Sequence, residues 1–390
     1  MLYQLCALAL IALVIGLAAV RRCSLYSPLG ISASIWLIVF IVGLLSDDIY
    51  YPIQENVFIS WLIWFMTTSL IFFLLYPSSI KSARIRTYIR RIPVDYSLML
   101  LFLAVWLCYQ IWMVGSSGPG DFFSNLRISA VDPDNFTTLG SVIIRSYPLV
   151  FALFLFEHVY ARRENRNLRL LLWCYMILYA IGNMSKLFIL YPTISWIIIQ
   201  ERAGRLNIAR ISLLAVAVFS LMISVHFIRV GSVIDVQKVL DMLAVYIYSP
   251  IVALGYKDIN HELPFGAYTL RFFYAIGDIL NIAQQSITPS AFVQVPVPTN
   301  VFTVMRNFYH DFGQLGVALG AFFYGLFFSC LYFLSVKRGG LWLVLFSGYS
   351  VILVMQFFAD LLFFGLSFNL QILFYSLAIF LVSRKVSYAC

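Results

Sequence analysis

The sequence predicts an all-α fold: a polytopic transmembrane helix bundle of about 11 spans in a single integral membrane domain, 1–390. Composition comes first. Of 390 residues, 62% are hydrophobic and only 11% charged, whereas soluble domains carry about a quarter charged residues. Folding in water cannot hide that much apolar surface, because a large domain buries only about three quarters of what its unfolded chain exposes. Second, apolar runs approaching the roughly 20 residues that cross a bilayer recur along the whole length. Third, the basic residues between those runs alternate between a rich and a poor side. Barrel strands are excluded, because they alternate apolar and polar residues and these runs do not.

The expected spans are 2–20, 29–45, 57–76, 95–115, 141–160, 168–182, 186–200, 211–228, 313–335, 341–358 and 362–382. The first lacks a positive leading segment and a clear cleavage site, and Arg21 and Arg22 follow it; it reads as a retained span rather than a signal peptide. The pair 168–182 and 186–200 is short, joined by a tight turn at Gly182–Lys186, so tilt or extension is expected there. The span at 313–335 opens with Gly313, Gly316 and Gly320, a small-residue face that permits close helix packing.

Eighteen of the 26 Lys and Arg residues fall on one side of this arrangement and eight on the other. The richer side belongs in the cytoplasm, which leaves the N-terminus outside and the C-terminus inside. A net charge of +9 therefore needs no nucleic acid, since short basic loops beside anionic lipid account for it. Six cysteines form no C-x-x-C pair, so neither a disulfide framework nor a metal site is expected.

The inner loops are too short to hold a domain. Outside lie a loop at 116–140 and a large segment at 229–312, the places where chemistry beyond the bilayer can be built. Within the large segment, 236–255 and 268–283 read as helices lying on or dipping into the outer interface; the rival topology makes them two further spans.

Positive charge on the outside needs a reason. Arg127, Lys186, Arg229, Arg271 and Arg306 are candidates for a phosphate-binding cluster, because guanidinium offers permanent charge and bidentate donors. Arg145, Lys238 and Lys257 read as snorkelling side chains. Candidates for acid–base work are Asp311, His310 and Asp278, then Glu262 and His261, although a carboxylate such as Asp311 at an outer helix start also favours the helix dipole.

The run Pro298-Thr-Asn-Val-Phe-Thr303, then Tyr309 and Asp311-Phe-Gly313 opening a Gly-rich span, resembles the bacterial O-antigen polymerase (Wzy) family, the oligosaccharide repeat unit polymerases. Ser124-Asn-Leu-Arg127, the Gly182–Lys186 hairpin, Phe227-Ile-Arg229-Val-Gly231 and Tyr248-Ser-Pro250 agree in order, covering roughly 120–335. The resemblance implies a glycosyltransferase of the bacterial inner membrane with a periplasmic active face. It would transfer a glycan from undecaprenyl diphosphate to the next lipid-linked repeat unit, building O-antigen or a related surface polysaccharide. Arg127, Lys186, Arg229, Arg271 and Arg306 would hold the diphosphate, Asn300 and Tyr309 the glycan, and Asp311, His310 or Asp278 would act as acid or base. No cofactor is implied; the partners are the lipid-linked oligosaccharide, the bilayer, and a chain-length regulator and flippase of the same pathway. The alternatives are a transporter or flippase of lipid-linked oligosaccharides, for which mid-span charge and internal repeats are the expected signs, and an O-antigen ligase.

Overall fold

A computed structural model describes residues 1–46, 49–77, 90–131, 145–160, 166–207, 236–256, 264–282, 292–296 and 298–385, with isolated positions in 208–235. The chain is mostly helical. Among the described residues, five helices are long and apolar enough to cross a membrane: α1 (Leu2–Val20), α2 (Pro28–Leu45), α3 (Glu55–Leu74), α4 (Ser97–Ser117) and α12 (Arg306–Arg338). Between α4 and α12 lie α5 (Phe122–Val131), α6 (Tyr147–Tyr160), α7 (Arg166–Gly182), α8 (Leu187–Arg202), α9 (Val236–Ile247), α10 (Ser249–Gly255) and α11 (Arg271–Ile279). Two further helices, α13 (Leu341–Val354) and α14 (Leu366–Val382), close the order. The only strands among the described residues are two-residue pairs, β1 (Arg90–Arg91) with β4 (Arg384–Lys385) and β2 (Val293–Gln294) with β3 (Pro298–Thr299). The expected span 211–228 lies outside the described residues, apart from isolated positions.

The chain forms two compact units: Met1–Ile80, Asp235–Phe333 and Ile352–Asn369 make the first; Lys81–Ile234, Leu334–Val351 and Leu370–Cys390 make the second.

The first unit is built on aromatic packing. Trp36, Phe40, Trp61, Trp64 and Phe65 are fully buried, with Phe40 edge-on to Trp61 and Trp61 stacked on Phe65. Interlocking aromatics of this kind bury large apolar area and add edge-to-face attraction. One amide ties this core to the loop before α12. Gln356 accepts from the Trp64 indole N–H at 3.2 Å, donates to Ser32 Oγ at 2.9 Å, and its backbone carbonyl accepts from Val304 at 2.8 Å. Helix α2 begins where Ser27 caps it, accepting from the Gly30 N–H at 3.2 Å, with Pro28 in its first turn; a proline there forfeits no helical hydrogen bond.

The expected helix at 236–255 is broken. It divides at Tyr248, ahead of Pro250, because proline has no N–H to continue the helical ladder across that turn. The break seats Tyr248 against Gly43, where a Cβ would come within 2.2 Å of the ring, and lets its hydroxyl accept from Gln4 at 2.8 Å. Ser249 through Leu254 are all buried. Helix α10 is thus wrapped in protein instead of lying on an interface. The expected helix 268–283 shortens to Arg271–Ile279 and buries no residue.

Helix α12 begins earlier than the expected span at 313–335. Its first turns, 306–312, precede a break at Gly313 (φ 61°, ψ −147°), a region that glycine enters without the steric cost other residues meet. The 306–312 turns then pack against the glycine face: a Cβ on Gly316 would meet the Phe308 carbonyl at 2.2 Å, and one on Gly320 the Phe308 ring at 2.7 Å. The small-residue face therefore receives the preceding turns of its own chain.

In the second unit, Pro192 inside α8 cannot donate to the carbonyl of Phe188. The Tyr147 hydroxyl takes that acceptor at 2.8 Å, which locks α6 to α8 through the backbone. The expected loop at 116–140 carries a helix, α5. Asp121 caps its start by accepting from Ser124 at 2.9 Å, and this N–H holds its carboxyl below the usual range. Asn125, buried, accepts from the Gly120 N–H at 2.9 Å and donates to the Gly115 and Gly120 carbonyls at 2.9 and 3.0 Å.

Candidate functional site

In the first unit, three segments meet: the turns at 264–270 leading into α11, the start of α12, and the connection at 358–365. Asp311 fastens the first two. Its Oδ1 accepts from the Tyr268 N–H at 3.2 Å and its Oδ2 from the Thr269 N–H at 2.6 Å. This carboxylate therefore serves as an anchor for the 268–269 backbone, with one backbone donor on each oxygen. The Tyr268 ring in turn lies 5.3 Å from the His310 ring, centroid to centroid.

Arg306, in the first turn of α12, projects between two aromatic faces. Its guanidinium carbon is 4.4 Å from the Phe302 centroid and 5.1 Å from that of Tyr268, and it also hydrogen-bonds the Tyr268 side chain. Both contacts are of the cation–π type. Its Nε is buried and has no hydrogen-bond partner, and the same is true of Thr269 Oγ1 and Thr303 Oγ1. A buried donor left unsatisfied costs about 1–3 kcal/mol, so this guanidinium is held with one donor short of an acceptor. Arg271 sits 4.7 Å over the ring of Phe364.

The connection that carries Phe364 is organised by Asp360, which is only 3% exposed. Its carboxylate accepts from the Tyr324 hydroxyl at 2.5 Å, from Asn307 Nδ2 at 3.2 Å, and from the N–H groups of Leu362 and Phe363 at 3.1 Å. Burial pushes its pKa up, against the lowering effect of those donors. The sequence reading passed over Asp360, although the signal was present: no other Asp or Glu follows Asp311 in the chain, and a lone acid in apolar surroundings marks function or architecture.

Of the expected site residues, the first unit gathers Arg306, His310 and Asp311 around Tyr268, while Arg271 lies over Phe364. Tyr309 accepts from Asn56 Nδ2 at 3.2 Å. Asn300 is exposed just after β3, and Asp278 is exposed near the end of α11. Arg127, half-buried on α5, and Lys186, half-buried where α8 begins, belong to the second unit. Lys186 follows the turn in which Met184 takes φ 47°. Arg229, His261 and Glu262 lie outside the described residues.

The fold and site define a helical protein with membrane-length apolar helices and a cation held between aromatic faces beside an anchored carboxylate. Compared with protein-family models, curated proteins and solved structures, the chain matches none.

Proposed function

We propose that the chain is an inner-membrane glycosyltransferase that polymerises undecaprenyl-diphosphate-linked oligosaccharide repeat units into O-antigen or a related surface polysaccharide. The observation that carries this reading is Arg306: a guanidinium walled by Phe302 and Tyr268 whose buried Nε lacks an acceptor. A diphosphate leaving group supplies acceptor oxygens, and preorganised cations aimed at developing charge are the largest single source of rate in such reactions. Arg271, on the segment that Asp311 ties to α12, is a further candidate cation in the same unit.

The chain crosses the bilayer about 11 times, with the basic loops cytoplasmic and the site periplasmic. Helix α11 suits the outer interface: Phe273, Ile276, Ile279 and Leu280 are exposed and apolar, while Arg271 on the same helix keeps to Phe364. Such a helix rests its apolar face in lipid and brings a polyprenyl substrate laterally to the arginines.

In the reaction, the acceptor sugar's hydroxyl oxygen attacks the anomeric carbon of the donor glycan. The bond from that carbon to the diphosphate oxygen breaks, and undecaprenyl diphosphate leaves on the arginines. His310 takes the acceptor proton, since Asp311 is turned to the 268–269 backbone it anchors and an imidazole is suited to neutral pH. The test is to reconstitute the purified chain with a synthetic polyprenyl-diphosphate-linked repeat unit and resolve the products by size. A ladder is expected; transbilayer movement of substrate without a ladder identifies a flippase and overturns the reading.

A further inference from the structure

The second unit holds a cavity of about 740 Å³ that the transferase reading does not use. Its lining includes Arg91, Arg384, Asp95, Tyr96, Glu157 and Asn167. The arrangement starts with the β1–β4 ladder, which pairs Arg91 with Arg384 and Arg90 with Lys385. Successive residues of a strand face opposite ways. Arg90 is spent on one side, donating from Nε to Ser383 Oγ at 2.9 Å and from a terminal nitrogen to the Phe380 and Ser383 carbonyls at 3.0 and 2.9 Å, and stacking on Phe380 at 3.9 Å. That anchoring sets the register, and with it the directly opposed pair Arg91 and Arg384, both exposed and both lining the cavity. Like charges directly opposite one another in a ladder are destabilising, so an anion between the two guanidinium groups would relieve the pair.

Two carboxylates share the cavity with this pair, and the Arg91 charge already acts on one of them, Asp95. Asp95 Oδ1 accepts from the Ser97 N–H at 3.0 Å, and this bond keeps its carboxyl below the usual range and ionised. Glu157 is buried and accepts from the Tyr96 hydroxyl at 2.5 Å. The cavity thus presents two cations and two acids on one wall system, a pattern that fits a phosphate and an amine joined in one molecule better than a bare anion. The setting favours a lipid as the source. Ser97 opens α4, a membrane-length helix, and directly along it Leu98, Leu101, Phe102 and Val105 are exposed at helical spacing. Val94, exposed, joins this stripe to the cavity. Acyl chains lie on such a stripe while a headgroup occupies the cavity, and basic pockets at span ends are recognised lipid-headgroup sites.

We infer that this cavity binds the headgroup of a zwitterionic phospholipid carrying a primary amine, a phosphoethanolamine lipid, with its phosphate between Arg91 and Arg384 and its ammonium toward Asp95 and Glu157. Neither Arg271 nor Arg306 lines the cavity, and its test makes no use of transferase activity. The full chain is reconstituted in equal amounts of phosphatidylethanolamine, phosphatidylcholine and phosphatidylglycerol, and retained lipid is read by native mass spectrometry. Retention of phosphatidylethanolamine about tenfold over the other two is expected, the scale of one charge-assisted hydrogen bond. The double variant Arg91→Ala/Arg384→Ala, checked for wild-type melting, loses that retention, and Asp95→Asn narrows the gap between ethanolamine and choline headgroups. Equal retention of all three lipids by the wild-type chain overturns the proposal without any variant. Displacement of the retained lipid by inorganic phosphate as readily as by short-chain phosphatidylethanolamine overturns it too, because the site is then a plain anion site.

Discussion

Replacing Asp360 with alanine strips one buried carboxylate from four donors: the Tyr324 hydroxyl, Asn307 Nδ2 and the N–H groups of Leu362 and Phe363. The Leu362 N–H also reaches the Tyr324 oxygen at 3.2 Å and keeps that acceptor. Three donors lose this acceptor, each loss costing about 1–3 kcal/mol when buried. Water entering the vacated space pulls the total to the low end, about 3 kcal/mol. For a unit of this size that corresponds to a melting-temperature drop of roughly 6–12 °C. Asp360→Asn keeps one carbonyl oxygen for the hydroxyl and backbone donors and loses about half as much. The assay is thermal unfolding of the purified chain in detergent, followed by tryptophan fluorescence, since Trp64 packs 5.0 Å from Tyr324. An Asp360→Ala chain that melts within about 1 °C of wild type refutes the reasoning. The pH dependence has a definite sign. Burial raises the folded-state pKa of Asp360, so its protonated form contributes stability that is fully present below the unfolded value and lost as pH rises through the folded one. Acidification from neutral pH therefore stabilises wild type relative to Asp360→Asn.

Other positions separate architecture from chemistry. Asp311→Asn keeps one acceptor for the 268–269 backbone and lowers stability by about 1 kcal/mol, with activity surviving in a product-ladder assay; abolished activity at unchanged melting would make Asp311 the base in place of His310. Gly313→Ala meets no neighbouring atom within 4 Å, yet the φ of 61° makes it lose about 1–3 kcal/mol by thermal unfolding. Asn125→Ala removes three hydrogen bonds around the Gly115–Gly120 turn and lowers stability by about 2–3 kcal/mol, a loss that Asn125→Asp only partly restores because its acid cannot donate to the two carbonyls.

Hydropathy made the helices legible where apolar runs are long, as at α1 to α4, because lipid and a buried core both demand such runs. Boundaries set by backbone detail were not. The unused carbonyl that Pro192 leaves at Phe188 finds Tyr147, 41 residues away in sequence, and no local pattern announces that pairing. Gly316 and Gly320 were legible as a close-approach face, but the partner, Phe308 of the same chain, depends on the Gly313 reversal. Helix α5 was missed although Asp121 and Ser124 carry a capping signal, since the Gly and Ser residues before it read as loop. In the site, side-chain chemistry singled out Arg271, Arg306, His310 and Asp311, but equally Arg127 and Lys186, which fall in the second unit. The anchoring role of Asp311 depends on backbone N–H groups that sequence does not display. Asp360 was passed over because it falls between two apolar spans rather than in a loop rich in candidates.

Arg306 is where the account is most exposed. Polymer formation from a purified lipid-linked repeat unit should fall by about a hundredfold or more in Arg306→Ala, the scale of one lost transition-state contact, at a melting temperature close to wild type. Arg306→Lys should recover only part of it, because an ammonium lacks the planar fork and the Nε donor. Ladders of wild-type rate and length from both variants would show that the cation between Phe302 and Tyr268 holds no diphosphate.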